Sequence, residues 1–316
     1  MMVFALLKGR LGPLLVLGIL IAVAPVSFPS VFYYEIGASI FIVALAVVGL
    51  NVLMGFAGQV SLGHAGFWGL GAYAVAIGPT HLGIPPLASL VAGLLLTLLI
   101  AWLVGRPILR LRGHYLAVAT LGFGILVNMI LTNEATWTGG PDGMGVPRLE
   151  ILGFVVRGSR MWYWTSAGVL LAGIWLALNL VDSPTGRALR ALHDSQVAAA
   201  VNGVDVARYK LAAFTISAGY ASIAGSMAAL SDGHITPTSA GFLHSIELVT
   251  MSVLGGMGSI IGAVVGAGLL RALPQILTVL HDYEQVVLGL TMMLIMIFLP
   301  HGILPAIASR FGRRAP

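Results

Sequence analysis

The sequence predicts an all-α polytopic membrane protein with about ten transmembrane helices. Three observations carry that expectation. Of 316 residues, 58% are hydrophobic and only 9% are charged, against about 25% charged in an ordinary soluble domain. Mean hydropathy is +0.99. Apolar stretches without Asp, Glu, Lys or Arg recur along the chain, and the one between Glu35 and Arg106 is long enough for several crossings. This composition excludes a soluble globular enzyme. The formal charge of +5 reads as membrane topology rather than affinity for nucleic acid, and no nucleic-acid partner is expected. With no Cys, disulfides, thiol catalysis, Cys-ligated zinc and iron–sulfur clusters are excluded, and the redox compartment is left open.

One apolar block of about 20 residues makes one helical crossing of a hydrocarbon core roughly 30 Å thick. The first block, at about 12–28, follows Lys8 and Arg10. It ends in Ala22, Val23 and Ala24, which resembles a signal-cleavage pattern, but Pro25 comes next and obstructs processing, so an uncleaved first helix is expected. The charge-free stretch then holds spans at 36–56, 61–78 and 87–105, with breaks at Gly55 to Gly58 and at the prolines between 79 and 86. Single blocks follow at 115–133, 161–181 and 211–231. The last part is less regular: a short or broken piece at 247–259 ending in Gly255, Gly256, Met257 and Gly258, then 260–280 and 285–299.

An even count puts both termini on one side, and the charges agree. Lys8, Arg10, Arg106, Arg110, Arg112, Arg187, Arg190, Arg208, Lys210, Arg310, Arg313 and Arg314 fall on one face, expected to be cytoplasmic. The other carries Glu35, Glu134, Asp142, Glu150, Asp232, Asp282 and Glu284, with Arg148, Arg157 and Arg160. A nine-span count would break this segregation. The expectation is one transmembrane domain over 1–316, with a cytoplasmic loop at 182–210 and an opposite-face loop at 134–160.

An intramembrane enzyme needs clustered acids, bases or metal ligands within its spans. His64, Glu247 and Arg271 are the ionisable residues nearest membrane depth, with no His-x-x-x-His, paired-Asp or Gly-x-Ser-x-Gly pattern beside them. No catalytic residue and no metal site is expected. Glu247 and Arg271 read as end-of-helix snorkelling residues or a structural pair. A phosphate-binding loop needs a Lys preceded by Gly, yet Lys8 follows Leu7 and Lys210 follows Tyr209. This chain binds no nucleotide of its own, and ATP, if used, belongs to a partner.

Gly55, Gly58, Gly63, Gly66, Gly69 and Gly71 surround Gln59, Ser61 and His64, a combination unsuited to one uninterrupted helix. Two readings stand: a broken helix lining a pathway, with freed backbone groups facing protein or water, or tight helix packing of the kind the Gly262 and Gly266 spacing also provides. On the first reading, Asn51, Gly58, Gln59, Ser61, His64 and Asn128 are the candidate pathway residues. In the 182–210 loop a Ser-Pro-Thr-Gly turn, an Ala-rich stretch and Asn202-Gly203 predict a short amphipathic helix. Its small residues Ala198, Ala199, Ala200 and Gly203 suit docking into a groove on another protein. The 134–160 loop is either an ordinary solvated loop or an acidic surface for a substrate-delivering protein. Trp162, Tyr163 and Trp164 read as an interfacial anchor.

Residues 187–214, RALRALHDSQVAAAVNGVDVARYKLAAF, resemble the coupling loop of ABC-importer permeases of branched-chain amino acid systems. Residues 49–67, GLNVLMGFAGQVSLGHAGF, are close to that family's N-terminal hallmark, and 112–123, RGHYLAVATLGF, resemble its M-type subunit. Residues 138–144 and 255–262 agree, so the resemblance covers nearly the whole chain. It implies a type II-like ABC importer permease bundle in the bacterial inner membrane, half of a pore carrying leucine, isoleucine and valine. The implied partners are a homologous permease, two cytoplasmic ATPases that use ATP and magnesium, and a periplasmic substrate-binding protein. Coupling to the ATPases is expected at Arg187, Arg190, Asp194, Ala198, Ala199, Gly203, Arg208 and Lys210. One departure stands out: the general importer motif would put an acid at Val197, and the branched-chain version often has one where this chain has Ala200. Contact should then rest on packing, Asp194, and Arg187 or Arg190. A urea or short-amide importer permease is the nearest alternative. An ion-coupled secondary transporter is less favoured for want of clustered intramembrane acids, and a membrane-embedded enzyme is weakest.

Overall fold

The computed structural model describes residues 12–111, 113–151 and 154–276, with 289–290, 293 and 302–303 beyond them. Lys8, Arg10, Arg112, Asp282, Glu284, Arg310, Arg313 and Arg314 lie outside this set, as does most of the expected span at 285–299.

Helix α1 (Gly12–Val23) gives way to a 3₁₀ turn at Ala24–Ser27, where Pro25 cannot extend it. Helix α2 (Phe32–Asn51) runs into a π-helical turn, Val52–Phe56. Helix α3 (His64–Leu82) ends at Gly83 in the left-handed conformation, and α4 (Pro86–Ile108) starts with proline in its first turn, where the missing N–H costs nothing. Helix α5 is His114–Asn133, and α6 is Gly158–Asp182. Between them, the strand β1 (Met144–Gly145) pairs antiparallel with the later β4 (His234–Ile235), and β2 (Glu150–Ile151) with β3 (Phe154–Val155). Then come α7 (Pro184–Asp194), α8 (Gln196–Val201), α9 (Val206–Asp232), α10 (Phe242–Gly255) and α11 (Ile260–Ile276).

Among the described residues, five helices are long and apolar enough to cross a membrane: Phe32–Phe56, Pro86–Ile108, His114–Asn133, Gly158–Asp182 and Val206–Asp232. Shorter apolar helices occupy Gly12–Ser27, Phe242–Gly255 and Ile260–Leu273. Helices α2 and α9 form the centre of the bundle. Helix α2 is buried continuously from Ile42 to Asn51, and α9 packs on α2, α3 and α4. Small residues allow this. A Cβ at Gly71 would overlap the Ser222 carbonyl and one at Gly225 the Trp68 carbonyl, so α3 and α9 cross backbone to backbone. Ser226 Oγ donates to the Gly71 carbonyl at 2.8 Å across the crossing. The outer faces of α4, α5 and α6 expose Leu95, Leu99, Leu126, Ile130, Trp175 and Leu176, an apolar coat fit for lipid or another subunit. Helix α6, roughly 37 Å long at 1.5 Å per residue, separates the 134–160 segment from the 182–210 segment, which therefore lie at opposite ends of the bundle.

Candidate functional site

The glycine-rich stretch is a broken helix. After the π turn, Gln59 N donates back to the Leu53 carbonyl at 3.1 Å, and the chain leaves helical geometry until His64. Gly58 turns it with φ +64° and packs against His193 at the end of α7, a place that disfavours any side chain on both counts. Gly63 lies against the Thr120 carbonyl, too close for a Cβ. The N-terminus of α3 is held by neighbours rather than by its own cap: Leu62 N donates to Thr120 Oγ1 at 3.1 Å and Ala65 N to Ser245 Oγ at 3.0 Å. His64 Nε2 is 3.3 Å from Ser217 Oγ, which is roughly 16 Å along α9 from its start. Helix α3 therefore begins inside the bundle.

Five of the candidate pathway residues gather at this break, in different circumstances. Asn51 is fully committed: Nδ2 donates to the Gly256 carbonyl at 3.1 Å and the Ser259 carbonyl at 3.4 Å, and Oδ1 accepts from Gly258 N at 2.9 Å. It is a clamp on the α10–α11 loop. Gln59 and Ser61 are buried, and both ends of the Gln59 amide, Ser61 Oγ and His64 Nδ1 have no hydrogen-bond partner among the described residues. Gly58 faces α7. Asn128 is engaged elsewhere, donating to the Pro237 carbonyl at 2.6 Å and so fixing the turn Pro237–Ala240.

At 182–210 the single expected helix is two. Ser183 Oγ accepts from Gly186 N to start α7, and Ser195 Oγ accepts from Ala198 N to start α8. Asn202 Nδ2 donates to the Ala198 carbonyl, Gly203 turns with φ +81°, and Asp205 caps α9 through Arg208 N. Leu189 and Leu192 of α7 pack inward, and Arg190 donates to the Val181 carbonyl while its guanidinium lies 5.9 Å from the Phe56 ring. Helix α7 thus touches the start of the helix break, at Phe56 and Gly58. The exposed surface differs from expectation at two positions. Ala199 is 2% exposed and Lys210 3% exposed, so neither presents itself to a partner. Turning α8 at Ser195 puts Ala199 inward and leaves Val197 (68% exposed) and Val201 (83% exposed) outward, one helical turn apart. Arg187, Arg190, Asp194, Ala198, Gly203 and Arg208 are exposed.

A cavity of about 1030 Å³ lies at the opposite end, between α2, α9, α10, α11 and the 134–160 segment. Glu35, Asp232, Glu247, Arg148, Arg157 and Arg271 bring charge to its wall, and Ile42, Val43, Trp68, Trp162 and Leu243 make its apolar part. Arg271 Nε donates to Ser39 Oγ at 3.0 Å, His244 Nδ1 is 3.2 Å from Glu247 Oε2, and the Trp68 and His244 rings meet edge to face at 4.9 Å. Arg271 lies within electrostatic reach of both Asp232 and Glu247. None of the candidate pathway residues lines this cavity. Sequence reasoning treated Glu247 and Arg271 separately from any site; the available signal was their rarity as ionisable groups near membrane depth. Among the described residues no three metal-ligating side chains come together.

The family described as branched-chain amino acid transport system / permease component matches residues 32–296. The chain is 34% identical to the high-affinity branched-chain amino acid transport system permease protein LivM of Salmonella typhimurium and 33% identical to LivM of Escherichia coli K12. Each match covers 82% of this chain but 66% of the relative, so the chain spans just under two thirds of the length of these relatives. It is 28% identical to the LivH permease of Salmonella typhimurium, over 83% of this chain and 90% of that one. No solved structure gives a significant match.

Proposed function

Since the chain belongs to the branched-chain amino acid transport system permease component family, we propose that it is one permease subunit of an ATP-driven importer that carries branched-chain amino acids across the bacterial inner membrane. The observation that carries this reading is the pair of capped helices α7 and α8, which present exposed Val197 and Val201 at one end of the bundle while α7 contacts the helix break. A chain without a phosphate-binding loop needs such a surface to receive work from elsewhere. The ATPases, two in number and using ATP and magnesium, dock there through Val197, Ala198, Val201, Arg187 and Asp194. Arg190 and Gly203 shape the surface, and closure of the ATPases shifts α7 against Phe56 and Gly58. The chain forms one domain of about ten spans with both termini cytoplasmic, pairs with a homologous permease, and receives substrate from a periplasmic binding protein at the 134–160 end. Gln59, Ser61 and His64 offer polar groups to the solute in passage.

The test is uptake of radiolabelled leucine and urea into proteoliposomes containing this chain, its partner permease, the ATPases and the binding protein, with and without internal ATP. Leucine uptake that requires ATP is expected. Uptake by this chain alone, driven by an ion gradient and indifferent to ATP, would make it a secondary transporter, and uptake of urea in preference to leucine would move it to the short-amide class.

A further inference from the structure

We propose that the cavity at the 134–160 end is a zwitterion site, in which Arg271 receives a carboxylate, Glu247 and Asp232 receive an ammonium group, and Trp68 and Leu243 contact an apolar side chain. The proposal rests on the amino-acid import reading and names the residues that would recognise the amino acid.

The wall sets a guanidinium from α11 among carboxylates from α9 and α10, with Arg271 and Asp232 exposed and so able to meet a solute. Asp232 is the last residue of α9, where the helix dipole disfavours an anion, so helix stability does not account for an acid there. Glu247 is oriented by His244, which is in turn packed on Trp68, and the Arg271 Nε–H is fixed on Ser39. A guanidinium anchored through Nε keeps its two terminal nitrogens as a fork suited to a carboxylate. The volume of about 1030 Å³ is of the order of small-molecule sites, about 300–1,000 Å³. Walls of both signs around an apolar patch match a zwitterion with an aliphatic side chain. A neutral amide offers neither charge to these walls.

The experiment uses the complete transporter in proteoliposomes and reads leucine uptake together with ATP hydrolysis evoked by the loaded binding protein. Arg271→Gln and Glu247→Gln are each expected to reduce uptake about tenfold or more, the scale of losing a charge-assisted hydrogen bond, while hydrolysis continues. Arg271→Lys, which keeps the charge, is expected to recover most of the uptake. Unchanged uptake in both glutamine variants overturns the site. So does a parallel fall of uptake and hydrolysis in all three variants, which marks a purely structural ion pair. A wild-type complex that takes up no leucine with ATP overturns the functional reading itself, and is told apart because it fails before any substitution.

Discussion

Asn51 does with one amide what would otherwise need several loop residues: it closes two carbonyls and one N–H of the segment 256–259. Replacing it removes three hydrogen bonds: the Gly256 and Ser259 carbonyls keep the Ser259 and Ala263 N–H groups, but Gly258 N–H loses its Asn51 acceptor, and Asn51→Ala should cost about 1–3 kcal/mol, read as a lower thermal midpoint of the detergent-solubilised protein. Asn51→Asp should fall at least as far, because it sets an acceptor against two carbonyl oxygens; an unchanged midpoint in both would mean the loop is held by packing alone. Residue-level burial also separates two substitutions that look equivalent in sequence. Ala199→Glu places a charge at a 2% exposed position and should lower the yield of monodisperse protein, whereas Val201→Glu at an 83% exposed position should leave folding intact. Co-purification of the ATPase subunits then distinguishes the two: Val201→Glu should lose the ATPase from well-folded permease, and retention would remove Val201 from the docking surface. The inward turn of Ala199 was not legible, because three consecutive alanines give a helix no apolar stripe from which to read its rotation.

At the scale of elements, the helix break was legible and its form was not. Six glycines around Gln59, Ser61 and His64 announced that one helix could not run through. The π turn Val52–Phe56 left no trace, since widening a turn by one residue changes no residue type and barely shifts an apolar run. The division into α7 and α8 carried a signal at Ser195, a good N-cap before Ala198, but the surrounding alanines outweighed it as a helical stretch. Glycine at Gly225 has a sharper role than general helix proximity, since the Trp68 carbonyl occupies the place of a side chain. Gly225→Val should force α3 and α9 apart, costing about 1–3 kcal/mol as overpacking usually does, while Ser226→Ala, which removes one hydrogen bond to Gly71, should cost about 1 kcal/mol. Thermal unfolding of the two variants side by side checks the order. If Ser226→Ala were the worse, the crossing would be held by its hydrogen bond rather than by close approach.

For the whole molecule, apolar block lengths located the helices between 12 and 276, because hydrocarbon thickness sets helix length independently of any partner. The cavity was illegible because Asp232, Glu247 and Arg271 belong to three helices and meet only when α9, α10 and α11 pack around α2. The same packing connects the two ends: α7 touches Phe56 and Gly58, Asn51 ties the break to the α10–α11 loop, and α10 carries both Ser245, which holds α3, and Glu247 in the cavity. This contiguity serves import only if α7 faces the cytoplasm and the cavity faces outward, as the segregation of basic residues predicts. The chain contains no Cys, so single cysteines report orientation without background. Arg148→Cys, on the cavity rim, should react with a membrane-impermeant maleimide in spheroplasts, and Asp194→Cys, 85% exposed at the end of α7, only after permeabilisation. The reverse pattern would invert the bundle and turn the cavity into an exit vestibule. Labelling of both from outside would mean that α6 does not cross the membrane, because that helix joins the two segments directly.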